Sequence, residues 1–305
     1  MDRVLCLVGP TGAGKTEVAL ALAHALEGIV INFDSRQVYR DTPIITAQPT
    51  PDEQFQCPHL LYGFLSCHET LSAGRYAALA ASAIRDALDA GQTPILVGGT
   101  GLYLRALLQG LAPIPDIPPA LRSAILTAWD AQGPLASYER LRAVDPAYAA
   151  KVHPNDRQRV TRALEVHQAT GRSLSEWHAD ATTALGLPCL KLGIHLDKPA
   201  LDRRLAKRIE SMLQAGALEE ARRAYDACAC AQAPCLSGIG CAELVAHVRG
   251  EIDMPEARRL WLANTKAYAK RQMTWFKKET GVHWFGPGEV ADMVALARGS
   301  APGPR

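Results

Sequence analysis

The chain has 305 residues, 48% of them hydrophobic and 21% charged, with 33 Lys and Arg against 31 Asp and Glu. That composition fits a soluble globular protein with a large core and two structural units, and a formal charge of +2 does not mark it as a nucleic-acid binder. No run approaches 18 apolar residues, the N-terminus lacks the build of a signal peptide, and eight cysteines form no dense framework, so a cytoplasmic protein with reduced thiols is expected.

In chain order, Val4–Val8 reads as a buried strand, Glu17–Leu26 as a helix and Ile29–Phe33 as a second strand. Tyr76–Ala90 has a helical pattern, Thr93–Val97 is a third apolar strand, and Leu102–Leu108 opens another helix. Strands alternating with helices predict a parallel sheet covered on both faces. Pro113, Pro115, Pro118 and Pro119 then break the pattern. From Ala120 to about Gly186 the periodicity is helical, and a β-type run returns only at Leu190–Leu196, before a largely helical remainder. The economical reading is a three-layer α/β fold with an inserted all-helical domain. It assigns 1–112 and 188–290 to the core, 113–187 to the insertion, and 291–305 to a partly disordered tail.

The near-neutral total hides segregation. From Asp34 to Thr100 seven acids face four bases, whereas Ala257–Lys278 holds seven bases and no acid. Arg157, Arg159 and Arg162 form a smaller basic set, and Arg203, Arg204, Lys207 and Arg208 another. Local basic faces on a neutral protein suit a broad anionic partner, or simply a solvated helix face.

Gly9-Pro10-Thr11-Gly12-Ala13-Gly14-Lys15-Thr16 fits the P-loop pattern, with an apolar strand entering and an amphipathic helix leaving. Its glycines let backbone N–H groups converge on phosphate oxygens, and the helix N-terminus adds a favourable dipole. Lys15 is expected to neutralise a terminal phosphate and Thr16 to ligate Mg²⁺. The motif thus predicts a P-loop NTPase-like fold that binds a di- or triphosphate.

Asp34 ends the second strand. An acid there faces the acceptor side of the phosphates and can take a proton from the attacking group; the alternative is a cap of the next turn. Gly98-Gly99-Thr100-Gly101 follows the third strand at the same carboxyl edge. Its glycines allow close approach and the Thr100 hydroxyl offers a bond to phosphate, with a plain turn as the alternative.

Together these segments resemble one family, the tRNA dimethylallyltransferases, also called tRNA isopentenyltransferases. The resemblance is carried by Gly9–Thr16, Asp34–Arg40, Gly98–Tyr103, Pro154–Val166 and Ala269–Phe276, in the family order across nearly the whole chain. Two places depart from the pattern. Ile44-Ile45-Thr46-Ala47-Gln48-Pro49 stands where the family usually has Ile-Gly-Thr-Ala-Lys-Pro, and Gly240-Cys241 stands where it usually has Gly-Tyr.

The resemblance implies transfer of a five-carbon dimethylallyl group from its diphosphate to N6 of the adenosine next to the anticodon in tRNA. It implies Mg²⁺ as cofactor and a monomeric enzyme. It makes Asp34 the base, puts Lys15, Thr100 and Arg208 at the reacting diphosphate, and assigns Arg122 to tRNA. It also places Asp34, Ser35, Arg36, Gln37 and Thr100 at the tRNA, with Gln158, Arg159, Val160, Thr161 and Arg162 from the insert and Lys270 and Arg271 near the C-terminus. The insert is expected to grip the anticodon stem. On an ideal helix Arg259, Lys266, Lys270 and Lys277 form a phosphate-facing stripe, while Trp261, Thr265, Tyr268, Gln272 and Trp275 form one that is mostly core.

Cys228, Cys230, Cys235 and Cys241 lack a C-x-x-C pair and finger-type histidines, so thiols without metal are expected. Two other functions fit the P-loop alone. One is a small-molecule kinase using ATP, with Asp34 activating a hydroxyl; the other is a non-catalytic RNA-binding NTPase module.

Overall fold

The computed structural model describes residues 4–180, 186 and 188–299. In chain order it has β1 (Val4–Val8), α1 (Lys15–Leu26), β2 (Gly28–Asn32), α2 (Pro43–Thr46), α3 (Pro51–Gln56), β3 (His59–Leu60), α4 (Ala73–Asp89), β4 (Thr93–Val97) and α5 (Gly101–Gln109). Then come α6 (Pro119–Val144), α7 (Pro146–Ala149), α8 (Arg157–Thr170) and α9 (Leu174–Ala179). The chain continues with β5 (Cys189–Ile194), α10 (Lys198–Gln214), α11 (Ala217–Cys228), a 3₁₀ turn (Pro234–Ser237), α12 (Cys241–Val248), α13 (Met254–Phe276), β6 (Val282–Phe285) and α14 (Val290–Ala297).

Contacts divide the chain into Met1–Leu107 with Gly186–Arg305, and Leu108–Leu185. The first boundary falls inside α5, a few residues before the proline run that marks it in the sequence.

The larger unit holds one parallel sheet in the order β3-β2-β4-β1-β5-β6. β1 and β2 are buried along their whole length, and β4 along all but its first residue, which is why apolar residues run consecutively through Val4–Val8, Ile29–Ile31 and Ile95–Val97 rather than alternating. Because β4 lies between β2 and β1, the loops leaving these three strands emerge side by side at the carboxyl edge. In parallel α/β sheets that edge is where ligands bind.

Two strands, β3 and β6, have no counterpart in the sequence reading. Across the start of the segment expected as a tail, residues 290–297 form α14. Its Met293 and Ala297 are buried in the core that contains Ala19 and Leu22 of α1, and the Arg298 guanidinium donates to the Ala25 carbonyl. Residues 300–305 lie outside the described residues.

The smaller unit is helical as expected. Its longest helix, α6, is kinked at Gly133, which leaves helical geometry with φ 82° and precedes Pro134. The core of this unit gathers Ile125, Trp129, Leu141, Val160, Leu164 and Leu174. Asp145 ties two helix starts together, accepting from Tyr148 N at 2.9 Å and from Ser175 N at 2.8 Å. No helix among the described residues is long and apolar enough to cross a membrane.

The short helix α2 depends on a buried carboxylate. Glu220 of α11 accepts from the backbone N–H of Ile44 and of Ile45, each at 2.9 Å. Burial raises the Glu220 pKa, and those two bonds pull it back down. Glu220→Ala strands both donors. It should lower unfolding free energy by about 3 kcal/mol, read as a reduced midpoint in urea at unchanged slope.

Candidate active site

The phosphate loop is pressed against α10. Gly12 has φ 80°, and a Cβ placed there would lie 2.7 Å from Leu205 Cδ2, so conformation and space both require glycine. Arg204 Nη1 donates to Ala13 O at 3.2 Å. Lys15 folds back over the loop, its Nζ donating to Gly9 O and Pro10 O, both at 2.9 Å. Burial pulls the Lys15 pKa down to about 8; Asp34 opposes that shift and Arg208 adds to it. The Arg208 guanidinium is likewise lowered by burial and raised by Asp34. Three expected site residues, Lys15, Asp34 and Arg208, thus share one electrostatic environment. Thr16 is exposed in the first turn of α1, and its hydroxyl makes no hydrogen bond among the described residues.

Asp34 is fixed by the residue that ends β2. Buried Asn32 accepts from Asp34 N at 2.7 Å, and its Nδ2 donates to Asp34 O at 3.1 Å and Leu61 O at 2.9 Å. Asp34 Oδ1 accepts from Arg36 N at 2.9 Å, so this oxygen does cap the following turn. Oδ2 makes no hydrogen bond among the described residues and sits beside Gly99, 3.3 Å from where a Cβ would stand. One oxygen holds the loop and the other keeps its acceptor capacity unused among the described residues.

The loop after β4 is stitched to the loop after β2. Thr100 Oγ1 accepts from Ser35 N at 2.9 Å and donates to Ser35 Oγ at 3.2 Å, while Thr100 N donates to Phe33 O. Gln272 of α13 closes the arrangement. Its Oε1 accepts from Thr11 N at 2.8 Å and its Nε2 donates to Gly99 O at 3.1 Å. A Cβ at Gly99 would come 1.9 Å from that Nε2, so only glycine allows the approach. The Tyr268 phenol lies against Thr100 and Gln272, and its pKa is raised by burial and then by Asp34.

Several residues expected at RNA have other work. Arg36 turns its Nη2 to the carbonyls of Pro234 at 2.6 Å and Cys235 at 3.0 Å. Gln37 spends its amide on the Thr46 and Ala47 carbonyls that end α2. Val160 and Thr161 are corrections to the sequence reading: both side chains are buried in the helical core, because they fall on the inner face of α8. Gln158, Arg159 and Arg162 of the same helix are exposed, and Arg159 pairs with Asp156 at 3.3 Å. Arg122 and Arg162 converge on Glu165, at 3.8 and 3.4 Å, and that carboxylate is only 5% exposed.

The basic segment is less free than its sequence suggests. Acids from outside it pair with Arg258 (Glu210), Arg259 (Glu256) and Lys266 (Asp202). Lys270, Arg271, Lys277 and Lys278 are exposed with no ion pair among the described residues, and the Arg271 guanidinium lies 5.7 Å from the Tyr268 ring centre. Of the other stripe Trp261 and Gln272 are buried as expected, Thr265 and Tyr268 are half-buried, and Trp275 is exposed.

The two departures from the family pattern meet in one cluster. Ile45 and Cys241 are buried with Trp261, and Ile45 Cγ2 lies 2.7 Å from a Cβ placed at Gly240. A larger residue at one position and a smaller one at the other keep the cluster filled. Gln48 donates to Tyr39 O at 2.7 Å.

Asn32, Gln272, Glu165 and Arg204 were not singled out as site residues by sequence reasoning. Asn32 is a polar residue closing an apolar strand, and Glu165 is an acid inside the apolar run Ala163–Val166; both are signals of a buried hydrogen-bonding task.

A phosphate loop, an unpaired carboxylate oxygen beside it and two cations around both define a P-loop enzyme of the group-transfer class. The sequence matches the family described as IPP transferase over residues 37–279, and the chain belongs to that family. It is 55% identical to the tRNA dimethylallyltransferase of Nitratidesulfovibrio vulgaris strain DP4, over 95% of this chain and 94% of that one. The crystal structure of the full-length tRNA isopentenylpyrophosphate transferase of Bacillus halodurans superposes with a TM-score of 0.72 at 30% identity, covering 98% of this chain and 96% of the other. A eukaryotic dimethylallyltransferase described as acting on tRNA gives 0.83 at 27% identity, covering 99% and 81%.

The depressed Lys15 pKa has a measurable sign. Below about pH 8 the free amine is charged, and it loses that charge as pH rises through this value. A bound anion favours the charged form, so binding inorganic diphosphate near pH 8 should take up about half a proton at Lys15. Calorimetry in buffers of different ionisation enthalpy reads this as the difference between wild type and Lys15→Met. Equal proton uptake in both would remove Lys15 from the anion site.

Proposed function

We propose that the chain transfers a dimethylallyl group from dimethylallyl diphosphate to N6 of the adenosine next to the anticodon in tRNA, releasing diphosphate. The observation that carries this reading is Asp34 Oδ2, unpaired beside Gly99 and sharing its surroundings with Lys15 and Arg208.

An adenine amine is a poor nucleophile because its lone pair is delocalised into the ring. It needs an activated carbon and a base. The allylic C1 supplies the first, since its partial positive charge spreads over the double bond. The N6–C1 bond forms, the C1–O bond to diphosphate breaks, and the N6 proton passes to Asp34. Lys15, Arg208 and the backbone N–H groups of Gly12, Gly14 and Lys15 stabilise charge growing on the diphosphate. Thr100 and Ser35 hold the Asp34 loop against the loop after β4.

The exposed, unpartnered hydroxyl of Thr16 fits Mg²⁺, which takes oxygen ligands and completes its shell from water and phosphate. When bound, Mg²⁺ supplies further positive charge at the leaving diphosphate.

Nucleotide recognition needs single-stranded bases and phosphates to be met by stacking and by cations. In the helical unit the exposed Arg122, Gln158, Arg159 and Arg162 offer such groups, and in the larger unit Lys270 and Arg271 do so. We assign the enzyme to the cytoplasm as a monomer; the free state of all eight cysteines supports a reducing compartment.

Incubation with labelled dimethylallyl diphosphate and bulk tRNA should place label in RNA. Asp34→Asn should then cut the single-turnover rate about 10²–10⁴-fold while leaving donor and tRNA binding nearly intact. A rate within about threefold of wild type is too small a change for a general base. Absence of label, with phosphate transfer from ATP instead, would make the chain a kinase.

A further inference from the structure

Cys67 meets two cysteines from a distant part of the sequence, Cys228 and Cys235, beside the Asp34 loop. Cys67, Cys228 and Cys235 hold their sulfur atoms within 4.8 Å of one another, with Cys228 Sγ 3.5 Å from Cys235 Sγ. Cys228 ends α11, Cys235 lies in the 3₁₀ turn, and Cys235 N donates to Cys67 O at 3.3 Å. A tetrahedral zinc ion with Zn–S bonds of about 2.3 Å needs sulfurs about 3.8 Å apart, so the trio brackets the required spacing.

We propose that Cys67, Cys228 and Cys235 form a thiolate site for one Zn²⁺ ion per chain, with water as the fourth ligand. Soft sulfur donors and apolar walls suit zinc over oxygen-seeking cations; the walls are Val38, Tyr39, Leu65, Ala224, Leu236 and Val245. Cys67 is 9% exposed while the other two are more deeply buried, so it gives the fourth position its route to solvent. Binding forms three Zn–S bonds and breaks three S–H bonds, and the three protons go to water. Zinc with three thiolates carries one net negative charge. The Arg36 guanidinium, bonded to the carbonyls of Pro234 and Cys235, stands on the same turn to offset it.

The site differs from the group the sequence suggests. Cys230 and Cys241 are not members, and Cys67 replaces them. Its place also gives it a task. The ion would pin the segment around Cys67, the end of α11 and the 3₁₀ turn to one another, and that turn anchors Arg36, two residues beyond Asp34.

The test uses the reduced, metal-free full chain and Zn²⁺ alone, titrated against a chromogenic chelator. One equivalent per chain is expected. Cys67→Ala, the least buried of the three, should weaken binding by at least about 100-fold, since losing even an outer hydrogen-bond partner of a metal ligand costs about 10–100-fold. Cys230→Ser should bind as wild type does. Cadmium titration of the unaltered chain gives a readout independent of any variant's folding: sulfur-to-cadmium charge-transfer absorption should saturate at one equivalent with the intensity of three thiolates. Failure to compete with the chelator, unchanged affinity in Cys67→Ala, or absence of the cadmium band would each overturn the proposal. None of these outcomes bears on prenyl transfer, so the two readings stand or fall separately.

Discussion

The carboxamide of Gln272 is the contact on which the geometry of the larger unit's site turns. It accepts from the N–H of Thr11 in the phosphate loop and donates to the carbonyl of Gly99 in the loop after β4. A side-chain amide carries a neutral acceptor and a neutral donor on the same carbon, which suits it to this bridge. Replacement by glutamate would put an acceptor against the Gly99 carbonyl, and a lysine would put a donor against the Thr11 N–H. The bridge also fixes α13 in rotation, which sets Tyr268 against Thr100 and leaves Lys270 and Arg271 outward.

Charge is concentrated where that bridge closes. Lys15 and Arg208 both feel Asp34, which holds their pKa values up against the lowering that burial causes. The acid lacks a hydrogen-bonded cation, although two stand nearby. Like charges held close without direct pairing cost stability, the general pattern of a preorganised electrostatic site. Asn32 holds Asp34 by its backbone alone and so leaves the carboxylate oxygens free for other partners.

How much of this was legible in the sequence depended on whether a feature is local. β1, the phosphate loop, β2, β4 and the proline-marked insertion were all readable, because apolar strands, glycine spacing and breakers act over a few residues. β3 has two residues and β6 four, too short for a periodic signal; they exist because a neighbouring strand offers them a ladder. Val160 and Thr161 were assigned to RNA from a run of motif residues, but a helix turns successive side chains by about 100°, so a continuous motif cannot all face one partner. Gln272 was read as core, and it is buried, yet its two partners lie near positions 11 and 99. Pairings over such separations leave no mark on local pattern. The same limit hid Cys67 from Cys228 and Cys235.

The position of β1 carries a consequence for biosynthesis. One of its neighbours is β4, and the other, β5, is separated from β4 by the whole helical unit. A ribosome adding roughly 10 residues per second exposes one flank of β1 for roughly 10 seconds after β4 is made. The contacts assigned to the helical unit lie within Leu108–Leu185, so its internal packing does not await the C-terminal strands. The N-terminal strands must wait, with an open apolar edge of the kind that invites pairing with other chains. The phosphate loop gains its bond from Gln272 only when residue 272 arrives, after five of the six strands have been made. A nascent chain therefore cannot make this bridge until residue 272 has emerged, and a chain truncated before it never will.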